Sequence, residues 1–226
     1  MKRQIITTKD GSKTIHLPEW NENYHSHHGA VQEAVHVFIK SGLNHVMNNP
    51  TLPISILEVG FGSGLNAILT LIEANNNNLK IEYEGLEAYP LSLEEVESLG
   101  YDSLREVIGF EKEYEKMHVS EWGKKTPVNT YFRLLKTQAF LLDFQPEKER
   151  YNLVYFDAFG PRVQPELWDI RVFQKIFSAM HNNGVLVTYC AKGQVRRDLI
   201  EVGFSVEKIP GPPGKREMLR ATKIIE

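Results

Sequence analysis

Residues 54–66 read ISILEVGFGSGLN, and everything else in the chain arranges itself around them. ISILEV is a short apolar run of the kind that forms a strand buried on both faces. Gly60, Gly62 and Gly64 then interrupt it, and LNAILTLIEANN (65–76) resumes as a helix running into polar asparagines. Glycines between a buried strand and a helix let the backbone turn sharply and approach a ligand closely. Their spacing is G-x-G-x-G. A dinucleotide fingerprint, G-x-G-x-x-G, would need glycine where this chain has Leu65, and no Gly-Lys-Ser/Thr phosphate loop is present.

Downstream, KIEYEGLEAYP (80–90) reads as a second strand with Glu87 at its end. A carboxylate there accepts hydrogen bonds from both hydroxyls of a ribose, which fixes a nucleoside. The stretch 91–124 is acidic and helical in character, with breaks at Gly100, Gly109 and Gly123. TYFRLLKTQAFLLDF (130–144) holds a third strand and YNLVYFDAFGP (151–161) a fourth. PELWDIRVFQKIFSAM is amphipathic, with Leu167, Val172, Phe173, Ile176 and Phe177 inward. NNGVLVTYCA reads as turn then strand, and GQVRRDLIEVG as a helix closed by Gly203. FSVEKIP and REMLRATKII can pair as a terminal hairpin. Strand–helix alternation predicts a parallel sheet covered on both faces, and the closing pair gives it an antiparallel edge.

Upstream, β-branched residues flank Asp10-Gly11, which predicts an N-terminal β-hairpin. GAVQEAVHVFIKSGL follows as a helix, with Gly42 as its C-terminal cap. The expected organisation is an extension over residues 1–50 packed on a core domain over 51–226. No internal repeat or linker interrupts it.

Bulk properties narrow the function. A charged fraction of 24% is that of an ordinary globular protein. No apolar run approaches the ~20 residues of a membrane helix, and the N-terminus lacks the apolar core of a signal peptide. The single cysteine, Cys190, allows no internal disulfide and fits a cytoplasmic location. Net charge of −3 argues against indiscriminate nucleic-acid binding. The stretch from Cys190 to Lys223 is nevertheless locally basic, and such a face can hold phosphates or merely be solvated.

Asp157, at the end of the fourth strand, is the candidate for chemistry. In open α/β sheets the ligand crevice lies outside the carboxyl ends of the strands. The glycine turn with Glu87 resembles the S-adenosylmethionine site of class I methyltransferases. Methyl transfer to an amine needs an oriented lone pair and a group to hold or take the amine proton, a role a carboxylate at Asp157 suits. A helix cap or turn is the plain alternative for that residue.

Taken in order, TKDGSKT with YHSHHGA, EVGFGSG, YFDAFGP with PELW, TYCAKGQVRRDL, and GKREML resemble the methyltransferase domain of the MnmC family in stand-alone form. The resemblance implies a Rossmann-like class I fold and S-adenosylmethionine as the methyl donor. It implies methylation of the aminomethyl group of 5-aminomethyl-2-thiouridine at the tRNA wobble position. Asp157 would be catalytic. Glu58, Gly60, Gly62, Gly64, Asn66 and Glu87, with Tyr24 and Ser26, would hold the cofactor. Phe159, Pro161 and Tyr189 would face the substrate, Trp168 would help shape the crevice wall, and Lys192, Arg196, Arg197, Lys215 and Arg216 would meet tRNA phosphates.

Two departures from the family stand out. The FAD-dependent oxidoreductase half does not follow Glu226, so the expectation is methylation alone, without FAD or metal, on a precursor supplied by another enzyme. Where a Gly-Asp pair is expected to reach the adenine amino group, the chain has Thr137-Gln138, and Gln138 could accept that bond instead. In YHSHHGA, His25, His27 and His28 could bind a metal, line a cofactor pocket, or lead into the helix. A class I methyltransferase for a small amine or another macromolecule, and a non-catalytic nucleotide- or RNA-binding module, are the competing readings.

Overall fold

The computed structural model describes residues 2–47 and 53–225, so the boundary expected at 50/51 lies outside the described residues. Strands β1 (Gln4–Thr7), β2 (Lys13–Leu17) and β3 (Glu22–Asn23) form a small antiparallel sheet. Thr7 pairs with Lys13 across the Asp10-Gly11 turn, as the turn chemistry predicts.

The first helix departs from expectation. It begins as α1 (Ala30–Ala34), continues as a π-type segment over Val35–Leu43, and ends as α2 (Asn44–Met47). Gly42 therefore does not cap it. A β-carbon at Gly42 would lie 3.0 Å from Val187 Cγ2 and 3.2 Å from Tyr155 Cε1. The glycine is there to let the helix press onto the sheet, a packing signal that the sequence alone does not separate from a cap.

The large sheet has eight strands in the order β10-β11-β9-β8-β4-β5-β7-β6. Its parallel centre is β7 (Phe132–Gln138), β5 (Ile81–Glu87), β4 (Ile54–Val59), β8 (Tyr151–Phe156) and β9 (Met180–Thr188). β10 (Phe204–Pro210) and β11 (Glu217–Lys223) make the antiparallel edge. At the opposite edge a two-residue strand, β6 (Thr126–Pro127), pairs antiparallel with β7; nothing in its sequence marks it. β9 also starts earlier than expected, its asparagines forming a bulge with Asn183 at φ 63°.

Helices cover both faces: α3 (Leu65–Asn76), α4 (Leu93–Leu99), α5 (Glu111–Val119), α6 (Ile170–Ala179) and α7 (Gly193–Val202). Alternation along each strand divides the core in two. Ile56, Leu153, Tyr155 and Val187 pack with Phe38 and Leu43. Leu57, Val154, Phe156 and Leu186 pack with Val172, Phe173, Ile176 and Leu199. Burial of both faces explains why these strands read as continuous apolar runs. Glu84, buried within β5, is paired with Arg150 at 2.8 Å and accepts from Tyr151 Oη and Thr137 Oγ1, also at 2.8 Å each. A carboxylate inside a sheet is tolerable only with partners of this kind.

Candidate active site

β4 and β5 sit side by side in parallel, Val59 opposite Leu86, so the glycine turn and Glu87 emerge together at the carboxyl edge of the sheet. Gly60 adopts φ +92°, and a β-carbon there would stand 2.8 Å from the Asp157 carbonyl oxygen. Only glycine lets the β4 and β8 loops come this close. Glu87 accepts from the backbone N–H of Gly62 and of Tyr89, each at 2.9 Å. Its carboxylate keeps acceptor capacity for a further ligand.

A cavity of about 640 Å³ opens at this edge. Gly60, Gly62, Asn66, Glu87 and Asp157 line it, as do Tyr24, Ser26, Phe159, Tyr189 and Lys215. The volume is that of an ordinary small-ligand site. Tyr24 and Trp20 meet Phe159 edge-on at 5.3 and 5.5 Å between ring centroids, fastening the N-terminal sheet over the Asp157 loop.

Asp157 lies on the cavity floor. Asn66 Nδ2 donates to its Oδ2 at 2.9 Å and to Glu58 Oε1 at 2.8 Å. Burial pushes the Asp157 carboxyl up to about 7; the Glu33 carboxylate adds to this, while the Asn66 hydrogen bond and the Lys215 ammonium oppose it. A carboxyl poised near neutrality inside a cleft can take a proton there. Burial raises Glu58 well above the usual carboxylate range, against the pull of Asn66.

Several expected contacts are displaced. Glu58 is fully buried and does not line the cavity; it stands behind Asn66. Gly64 also lies off the cavity, at the left-handed start of α3, against the His118 ring. Gln138 ends β7 on the exposed side and contributes nothing to the lining. The loop beyond it, Ala139 to Asp143, lines the cavity instead, so the acid in that region is Asp143. Trp168 is buried behind the wall, donating from Nε1 to the Phe159 carbonyl at 2.7 Å. Pro161, Lys192 and Arg216 line a shallower groove next door, together with Arg162, Tyr189 and Lys215. Arg196 and Arg197 line neither concavity, and Arg197 is bonded to Gln194 at 2.7 Å.

YHSHHGA lines the cavity from Tyr24 to His28. Thr14 Oγ1 lies 3.0 Å from His25 Nδ1, and burial drives that imidazole down to about 4, so it is neutral. His27 Nε2 sits 2.8 Å from Asn23 Nδ2. Among the described residues no three His, Cys, Asp or Glu side chains are placed to hold a metal ion. Glu33 belongs to the family pattern, one turn into the helix after Tyr24, Ser26 and Gly29, but the sequence assigns it no site role. It is buried in the lining, accepts from the Ser26 N–H at 2.7 Å and pairs with Lys215 at 2.9 Å. Its position in the first turn of an amphipathic helix gave it the look of an ordinary helix-start acid.

Residues 110–224 match a family described as S-adenosyl-L-methionine-dependent methyltransferase. Over 98% of its length the chain is 31% identical to the tRNA 5-methylaminomethyl-2-thiouridine biosynthesis bifunctional protein MnmC of Paracidovorax citrulli, covering 35% of that protein. It is 29% identical, over 89% of its length, to the MnmC of Leptospira interrogans serogroup Icterohaemorrhagiae, covering 32% of it. The chain thus spans about a third of the length of these curated relatives. Among solved structures, MNMC2 from Aquifex aeolicus matches the whole chain and 73% of its own, with a TM-score of 0.74 at 24% identity. That structure shares the fold described above.

Proposed function

The chain belongs to the S-adenosyl-L-methionine-dependent methyltransferase family, and from that premise we propose that it methylates the primary amine of 5-aminomethyl-2-thiouridine at the wobble position of tRNA. The observation that carries the chemistry is Asp157, a carboxyl near neutral pKa on the floor of the cavity that Glu87 and the glycine turn share. The substrate rests on the likeness to proteins named for that modification.

The residues present fit the cofactor. Glu87 retains free acceptor positions, Gly60 brings two loops together, and the cavity's volume is within the range of small-ligand sites. Gly60, Gly62 and Glu87 would hold it, with Tyr24 and Ser26 in the opposite wall and Asp143, rather than Gln138, available to an adenine amino group. When bound, S-adenosylmethionine supplies an electrophilic methyl on sulfonium.

Asp157 would take one proton from the substrate ammonium, leaving a nitrogen lone pair. That lone pair would form the new N–C bond as the methyl–sulfur bond breaks, its electron pair leaving on sulfur with S-adenosylhomocysteine. The amine becomes a secondary ammonium, and the carboxyl returns its proton to water. Asn66 would fix the carboxylate's orientation, an entropic advantage in line with positioned catalysis. Lys192, Lys215 and Arg216, around the neighbouring groove, would meet phosphates of the RNA. In this reading a separate reaction supplies the aminomethyl precursor, and the protein works in the cytoplasm. Among the described residues no helix is long and apolar enough to cross a membrane.

Incubation with S-adenosylmethionine and tRNA carrying aminomethyl-thiouridine, followed by nucleoside mass spectrometry, tests the proposal. A gain of one methyl on that base is expected; an unaltered base in the presence of bound cofactor would reject it.

A further inference from the structure

The cavity already holds a primary ammonium: that of Lys215. Its Nζ lies 2.9 Å from Glu33 Oε1 and 3.9 Å from the centre of the Tyr189 ring. A carboxylate on one side and an aromatic face on the other is a binding arrangement for an alkylammonium ion. Tyr189 is held there by its hydroxyl, which donates to the Ala158 carbonyl at 2.8 Å, one residue from Asp157. Glu33 is fixed by the Ser26 N–H.

The two partners of the ion pair are not equally anchored. The Glu33 side chain is 10% exposed, that of Lys215 36%. Lys215 also rides on the turn between β10 and β11, while Glu33 sits in a helix. The lysine is the partner free to leave. It has somewhere to go, because it lines both the large cavity and the groove that Arg162, Lys192 and Arg216 make basic. A departing lysine would leave the buried Glu33 carboxylate without a cation, a costly state unless another cation replaces it.

We propose that Glu33 and the face of Tyr189 form the recognition site for the substrate's primary ammonium, occupied in the free protein by Lys215, which exchanges Glu33 for an RNA phosphate when substrate enters. This rests on the amine-methylation reading above and names how that reading's substrate is held. The same carboxylate would favour the charged amine on arrival, and Asp157, coupled electrostatically to both Glu33 and Lys215, would then accept its proton.

The exchange makes Lys215 act in opposite directions on a nucleoside and on an RNA. In Lys215→Met, calorimetry with free 5-aminomethyluridine as the probe is expected to show binding about tenfold tighter than in the unaltered protein. Binding of tRNA should weaken. A lysine that merely braces the fold would weaken both. Glu33→Gln should lose at least tenfold in nucleoside affinity while still binding S-adenosylmethionine, which also certifies that the variant is folded. Tyr189→Phe should retain nucleoside binding and Tyr189→Leu lose it. Nucleoside binding in Lys215→Met that is weaker, unchanged or undetectable overturns the proposal, as does unimpaired binding in Glu33→Gln. Because the binding measurements need no turnover, the amine site can pass while methylation of tRNA fails. The reverse, methylation intact with a Glu33→Gln KM unchanged, rejects the amine site alone.

Discussion

Asn66 ties Asp157 to the protein interior: its Nδ2 donates to Asp157 Oδ2 at 2.9 Å while donating to the buried Glu58 at 2.8 Å. The hydrogen bond stabilises the ionised form of Asp157 and so holds its pKa down against burial. If Asp157 acts as a base, methyl transfer rises with pH through about 7 as the carboxylate forms. Removing the donor raises that pKa, so Asn66→Ala should displace the acidic limb of the kcat profile to higher pH. A limb that stays in place or moves lower would separate Asn66 from Asp157's titration.

Asp157→Asn keeps the shape and loses the proton acceptor. Turnover is expected to fall by a factor on the order of 10²–10⁴, the usual size of a general-base contribution. Affinity for S-adenosylmethionine, read by calorimetry, should change little. Near-normal turnover in this variant would remove Asp157 from the chemistry.

Glu87→Gln retains an acceptor but gives up its charge. Hydrogen bonds to a charged group contribute about 1.5–3 kcal/mol, so cofactor binding should weaken roughly ten- to a hundredfold by calorimetry. Since Glu87 also receives the Gly62 N–H, part of the loss would come through the glycine turn. Undiminished cofactor affinity would show that Glu87 serves only that turn.

The parallel core was legible because ISILEVG and YNLVYFD are near-continuous apolar runs ended by glycine or an acid and KIEYEGLE, despite Glu82 and Glu84, ends likewise at Glu87; all three lie where expected. The features that were not legible depend on contacts between distant segments. Gly42 looked like a cap because its neighbours Tyr155 and Val187 are more than a hundred residues away. Gln138 is the expected adenine contact because strand ends are easy to locate; the path of the following loop, which brings Asp143 to the cavity, is not legible. Glu33 stands in the family pattern, but its role is not legible because its partner, Lys215, is remote in sequence.

The neutral His25 should make the fold acid-sensitive. Its folded pKa of about 4 lies below the ordinary 6.5, so the unfolded chain binds its proton first as pH falls. The stability it permits is complete above about 6.5 and is lost progressively towards 4, by up to roughly 3 kcal/mol at 1.36 kcal/mol per unit. Urea denaturation at pH 7 and pH 5 reads the loss. In His25→Gln the drop between the two pH values should be smaller; an equal drop would place the sensitivity elsewhere.

The basic residues near the C-terminus fall into two groups that the sequence could not separate. Lys192 and Arg216 line the groove beside the cavity, whereas Arg196 and Arg197 lie on α7 outside it. Each phosphate neutralised contributes about 0.7–0.9 to the slope of log K against log salt. Lys192→Ala/Arg216→Ala should therefore lower the salt slope of tRNA binding by about 1–2 and weaken binding at low salt. Arg196→Ala/Arg197→Ala should leave the slope nearly unchanged, since those side chains do not border the route to Asp157. If the second pair carries the larger effect, the RNA approaches across α7, and the groove at Pro161 is not its path.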